Sequence, residues 1–203
     1  MRVWGLMLLA VVISGCAAGG ERTETADVKS QPPAVFAGVT QVAGTAPAGA
    51  FVRLEPLFAH EFPAPSAEGF MDQSGQMFTP GAMVAQTGQA VRFRSSEDIL
   101  HNVRVIRAED KATVFNVATP PWGSYTHTFD KPGTYDVTCD IHTAMRATIL
   151  VAATPYATIA DEHGQFSFVD VPPGAYKLIA FSGENEVERT IKITGSRLEV
   201  TVP

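Results

Sequence analysis

Short apolar–polar alternations, each broken within about ten residues by glycine or proline, run through almost the whole chain and leave little room for helices. Val91 and Phe93 point one way while Arg92 and Arg94 point the other; Tyr135, Val137 and Cys139 share one face, with Asp136 and Thr138 opposite. Turns fall at Thr87-Gly88, Lys131-Pro132-Gly133, Glu162-His163-Gly164, Pro172-Pro173-Gly174 and Ser182-Gly183. The pattern predicts strands over Phe36–Ala43, Ala50–Glu55, Gly69–Gln73, Met83–Gln86, Gln89–Arg94, Asn102–Arg107, Ser124–Phe129, Thr134–Cys139, Ala147–Ala152, Tyr156–Ala160, Gln165–Val169, Ala175–Phe181, Val187–Thr194 and Leu198–Val202. The expected class is all-β, with at most one short helix. So many strands suggest two sandwiches rather than one.

Composition narrows the partners. With 45% hydrophobic and 18% charged residues, the 203-residue chain is globular rather than disordered. A formal net charge of -6 provides no basic face to neutralise phosphates, so no nucleic acid is expected as a partner. Two cysteines, Cys16 and Cys139, exclude a disulfide-dense scaffold.

The first cysteine follows a secretion pattern. Arg2 precedes the apolar run Val3 to Ile13, which is too short to span a bilayer and suits the apolar region of a signal peptide. The run ends in Ile13-Ser14-Gly15-Cys16, which resembles the lipobox of bacterial lipoproteins. That resemblance implies cleavage after residue 15, lipidation of Cys16, and anchorage to a membrane in the periplasm or at the outer surface. The competing reading is a protein secreted to the periplasm whose Cys16 is incidental. Ala17 to Ser30 is polar, and residues 16–33 read as a flexible tether. If Cys16 carries lipid, Cys139 has no thiol partner, and a lone thiol in an oxidising compartment calls for occupation or protection.

Cys139-Asp140-Ile141-His142-Thr143-Ala144-Met145 places Cys, His and Met at three-residue steps just after a predicted strand, and His101 lies upstream in Leu100-His101-Asn102-Val103. Two imidazoles, a thiolate and a weak axial thioether are the ligand set of blue-copper electron-transfer sites. The thiolate binds both oxidation states strongly, and the thioether forces the preferred geometry of neither. Taken singly, His101 could be a buried, hydrogen-bonded histidine and Met145 a core residue. A zinc-occupied or degenerate site is the competing reading of the set.

Residues from about Gly69 to Ala153 resemble the cupredoxins of the plastocyanin, pseudoazurin and amicyanin group. The resemblance rests on Phe78-Thr79-Pro80, Gly88 to Phe93, His101-Asn102-Val103, Thr128 to Tyr135 and the ligand loop, whose short Cys-x₂-His-x₂-Met spacing is similar to that of amicyanin. The whole chain resembles cupredoxin-containing proteins often labelled methylamine utilization proteins. The resemblance implies one copper ion per chain, held by His101, Cys139, His142 and Met145, with Asn102 tethering the ligand loops. Cupredoxins commonly carry Asn where this chain has Ser95, near the thiolate sulfur, and that departure bears on the potential. Thr143 stands where the loop often has Pro.

The flanks look like a second domain. Asp161 to Tyr176 looks like the second half of a transthyretin-like, carboxypeptidase regulatory-like sandwich, and Gly44 to Glu55 like its first half. The expected domains are the signal (1–15), the tether (16–33), a discontinuous sandwich (34–62 plus 154–203) and an inserted Greek-key cupredoxin sandwich (63–153).

Among the other histidines, His127 is expected to pack in a strand, and His60 and His163 to be solvated. Multicopper oxidases need His-x-His pairs, and the chain has none; a purple binuclear site needs two bridging cysteines and thiol redox chemistry a second thiol, and with Cys16 lipidated only Cys139 is available. The expected function is single-electron transfer between redox proteins, without enzymatic turnover. The alternative is a copper-binding or adhesion-like interaction module that stores, senses or delivers copper without redox shuttling.

Overall fold

The computed structural model describes residues 41–203. The signal, Cys16, the tether and the first part of the strand expected over Phe36–Ala43 therefore lie outside the described residues. The described chain forms sixteen strands and no helix. In order they are β1 (Gln41–Thr45), β2 (Phe51–Pro56), β3 (Gly69–Ser74), β4 (Met77–Thr79), β5 (Ala82–Gln86), β6 (Ala90–Ser95), β7 (His101–Arg107) and β8 (Thr113–Thr119). They continue with β9 (Ser124–Thr128), β10 (Gly133–Thr138), β11 (Arg146–Ala152), β12 (Ala157–Ile159), β13 (Gln165–Phe168), β14 (Gly174–Ser182), β15 (Asn185–Ile193) and β16 (Arg197–Thr201). The alternation did not mark β8 or β4, although the cupredoxin resemblance placed a strand at Phe78-Thr79-Pro80.

These strands make two sandwiches. The middle of the chain packs the sheet β4-β3-β6-β9 against the sheet β5-β11-β10-β7-β8. Its core takes Met71, Val91 and Phe93 from one sheet and Val103, Val105, Tyr135, Val137 and Ile149 from the other, with Cys139 and Met145 at one end. The alternation read in β6 is what builds it: Val91 and Phe93 are fully buried, while Arg92 and Arg94 are exposed. The second sandwich packs β13-β1-β16 against β12-β2-β14-β15. Phe51–Phe181 through Pro56–Tyr176 is the antiparallel register of β2 on β14, and β1 runs between β13 and β16. Its separate core gathers Val42, Val52, Leu54, Phe166, Tyr176, Leu178 and Ile193.

The pairing around β10 positions the site. β10 lies between β11 and β7, antiparallel to both. Thr138 pairs with Arg146, so the Cys139–Met145 segment is the turn that closes β10 onto β11. Thr138 also pairs with Arg104, which brings His101 at the head of β7 to the same end. The chain leaves for the second sandwich before Gly69 and after Ala152, at the far ends of β3 and β11 from that turn.

Candidate metal centre

Each donor side chain is fixed by backbone geometry before any ion is considered. The Cys139 turn is held shut by Cys139 N–H to Met145 O at 3.3 Å and Met145 N–H to His142 O at 2.9 Å. His142 N–H also donates to Cys139 Sγ at 3.4 Å. One nitrogen of each of the two histidines and the cysteine sulfur all lie within 4.8 Å of one another. His142 Nδ1 is 3.1 Å from His101 Nδ1 and 3.8 Å from Cys139 Sγ. His101 is wholly buried and Cys139 is 2% exposed, whereas His142 is half-buried.

Glu97 decides which nitrogen of His101 faces the site. Its Oε2 stands 2.6 Å from His101 Nε2. A carboxylate only accepts, so Nε2 carries the proton and the Nδ1 lone pair is left for the centre. Burial pushes the Glu97 carboxyl up, but hydrogen bonds from His101 and from the backbone of Gln76 and Gly75 outweigh it and hold it below its ordinary range. Those backbone groups come from the β3–β4 hairpin, where Gly75 (φ 62°) and Gln76 (φ 55°) are both left-handed, as a tight two-residue turn requires. The hairpin, Glu97 and His101 thus form one chain of contacts.

On the other side, Asn102 Oδ1 accepts the Asp140 backbone N–H at 2.7 Å and lies 3.3 Å from Cys139 Sγ. These contacts join β7 to the Cys139 turn. Ser95 is buried, and its hydroxyl meets the Glu97 backbone at 3.5 Å, on the turn that leads to His101. Met145 is 1% exposed and shares the core with Cys139. Glu97, Asn116 and the Asp140 carboxylate were not foreseen. The only local signal was that Glu97 precedes His101 by four residues. His127 packs between Phe115 and Phe129, with ring centroids at 4.7 and 4.9 Å, and burial pushes its pKa down. His163 is exposed, and His60 is exposed but lies against Phe62.

The donor set fits a first-row transition metal. Two imidazole nitrogens bound at about 2 Å to one ion are separated by roughly 3–3.5 Å at trigonal or tetrahedral angles, and the observed 3.1 Å lies within that range. Two imidazoles with one thiolate suit copper.

Comparison with known proteins agrees over the same stretch. Residues 69–152 match the model of the copper binding proteins of the plastocyanin/azurin family. No curated protein sequence matches the chain. Among solved structures, an oxidized proline-to-alanine mutant of amicyanin is 24% identical, over 41% of this chain and 81% of its own, with a TM-score of 0.38. A purple cupredoxin from Nitrosopumilus maritimus is 17% identical, over 42% of this chain and 100% of its own, at 0.37. A copper-containing nitrite reductase from Thermus scotoductus SA-01 is 22% identical, over 48% of this chain and 25% of its own, at 0.39. Copper is the cofactor that this match and the donor set His101, Cys139 and His142 support, and over residues 69–152 the chain is similar to the copper binding proteins of the plastocyanin/azurin family.

Proposed function

We propose that this protein is a membrane-tethered mononuclear type 1 copper protein of the periplasm or outer surface, which passes single electrons between protein partners and turns over no substrate. The observation that carries the reading is the convergence of His101 Nδ1, His142 Nδ1 and Cys139 Sγ at one end of a rigid sandwich. Met145 is the proposed fourth, axial ligand, and Cys16 the proposed lipidation site. Bound copper would supply a one-electron couple; the chain supplies the fixed surroundings. His101 is locked by Glu97, and the Cys139 turn by Asn102 and its own backbone bonds, so the donors need not move when the charge changes. Buried His101 and Cys139 keep water away, while half-buried His142 offers an edge toward a partner.

The segments that bear the proposed ligands also carry Leu100 and Ile141, which are 50% and 49% exposed, together with exposed Ala144; Trp122, 63% exposed on the β8–β9 turn, donates its backbone N–H to Glu97 O at 3.3 Å. Such weakly polar side chains cost little to desolvate and suit a brief encounter. Residues 34–62 and 154–203 form, in this reading, one discontinuous carboxypeptidase regulatory-like domain around the cupredoxin at 63–153. The pairing of β2 with β12 and β14 supports that division. Because both connections leave from the end away from the ligand turn, the second sandwich serves as a spacer that keeps the copper end clear of the membrane.

The test is redox behaviour of the copper-loaded protein. Fast, reversible one-electron reduction with copper retained against a chelator is expected. Loss of copper on reduction, or its ready transfer to the chelator, would instead favour a storage or delivery module.

A further inference from the structure

Three side chains close a ring on the outside of the Cys139 turn. Asn102 Nδ2 donates to Asn116 Oδ1 at 2.8 Å and to Asp140 Oδ2 at 3.2 Å. Asn116 Nδ2 donates to the same Asp140 Oδ2 at 2.9 Å. Arg104 Nη1 stands 3.4 Å from Asp140 Oδ1. Asn102 comes from β7, Asn116 from the edge strand β8, and Asp140 from the turn itself.

We propose that Asn116 is a positioning residue for the metal centre, acting through Asn102 and Asp140 on Cys139. An asparagine amide has ends of nearly equal size and opposite polarity, so its orientation is set by its neighbours. Here both N–H groups of Asn102 meet acceptors, one on Asn116 and one on Asp140. Its oxygen is left for the Asp140 backbone N–H and faces the cysteine sulfur. A flipped amide would set N–H against N–H at Asp140 and oxygen against two acceptors. Asn116 also supplies a donor to a carboxylate that would otherwise swing free of β8. The ring thus fixes the polarity of the group beside Cys139 Sγ and the place of the residue that follows it. Groups around the sulfur are what tune such a centre. Asn116 touches no donor atom, so its effect is indirect.

The inference rests on the copper reading, and its test separates the two. Asn116→Asp replaces the donor facing Asp140 with a second carboxylate at 2.9 Å. The two charges repel, and the turn is pushed from β8. Asn116→Asp combined with Asp140→Asn restores one carboxylate facing two amides, with the net charge unchanged. In the metal-free protein, alkylation of Cys139 by a small thiol reagent is expected to be several-fold faster in Asn116→Asp and near wild type in the double variant. In the copper-loaded protein, the midpoint potential and the thiolate band are expected to move in the single variant and return in the double. Asn116→Ala, at an exposed position, should shift both readouts in the same direction but less; it decides the matter if Asn116→Asp does not fold. Wild-type alkylation rates and potentials in Asn116→Asp and Asn116→Ala, or a double variant no better than the single, would overturn the role. If wild type shows no thiolate band at all, the copper reading fails, and the alkylation rates still decide the ring.

Discussion

Glu97 settles a choice that His101 cannot make for itself: which ring nitrogen stays free. The carboxylate takes Nε2, so Nδ1 faces the centre, opposite His142 Nδ1. At this scale the proposed ligands have distinct jobs. Cys139→Ser is expected to abolish the visible thiolate-to-Cu(II) band, since that band needs sulfur; a spectrum unchanged from wild type would rule out a copper–thiolate bond. Met145→Leu is expected to keep the band and shift the midpoint potential, because an axial thioether, the role proposed for Met145, would bind weakly. His101, Cys139 and His142 were legible because a three-residue step and a strand-borne histidine leave a mark in the sequence. Glu97 and Asn116 were not, because their partners reach them only through strand pairing or turn geometry, and exposed Asp140 reads as an ordinary surface charge. Ser95, at the position that the cupredoxin resemblance relates to the sulfur, meets the Glu97 backbone through its hydroxyl.

Strands were legible where one face is buried and the other is wet. β6 and β10 alternate cleanly, and their ends fall within a residue or so of the expectation. β4, three residues long, is too short to show a period. β8 carries exposed Val114 on its outer face and half-buried Phe115 and Val117 on its inner one, so apolar residues occur on both sides and blur the alternation. A register shift at Val105/Ile106 adds to this. The β7–β8 hairpin turn is tied by Arg107 to Asp110, with the Ala112 N–H donating to the same carboxylate at 3.1 Å. Hydrogen bonding by Arg107, then by Ala112, holds the Asp110 carboxyl down at about 2. Because the folded value lies below the unfolded one, this contribution is fully present above about pH 4 and fades as the pH falls toward 2. Asp110→Asn should therefore destabilise the protein slightly at neutral pH, and the difference from wild type should vanish near pH 2 in denaturant titrations. A difference that persists undiminished at the acid end would assign the effect to something other than this ion pair.

Among the described residues, two hydrophobic cores sit in two sandwiches, and the one built from the middle of the chain is the one that adjoins the donors. Leu54→Ala, at a fully buried position in the other core, is expected to cost about 2–5 kcal/mol there while leaving the copper spectrum of the folded protein intact. Loss of the copper band in step with the first unfolding transition would show that the sandwiches do not behave as separate domains. At the ligand end, Ala144→Glu puts a charge beside half-buried His142 and should slow electron self-exchange without altering the spectrum. Equal self-exchange rates at matched ionic strength would remove His142 from the electron's route.

In the proposed centre, His101, Cys139 and His142 hold a single copper ion, with Cys139 bound through sulfur. Titrating the metal-free protein with Cu(II) while recording its visible absorption tests this most directly. An intense thiolate-to-copper band that saturates at one copper per chain and is absent from Cys139→Ser is expected. A colourless complex, or a band that keeps growing past one equivalent, would contradict it.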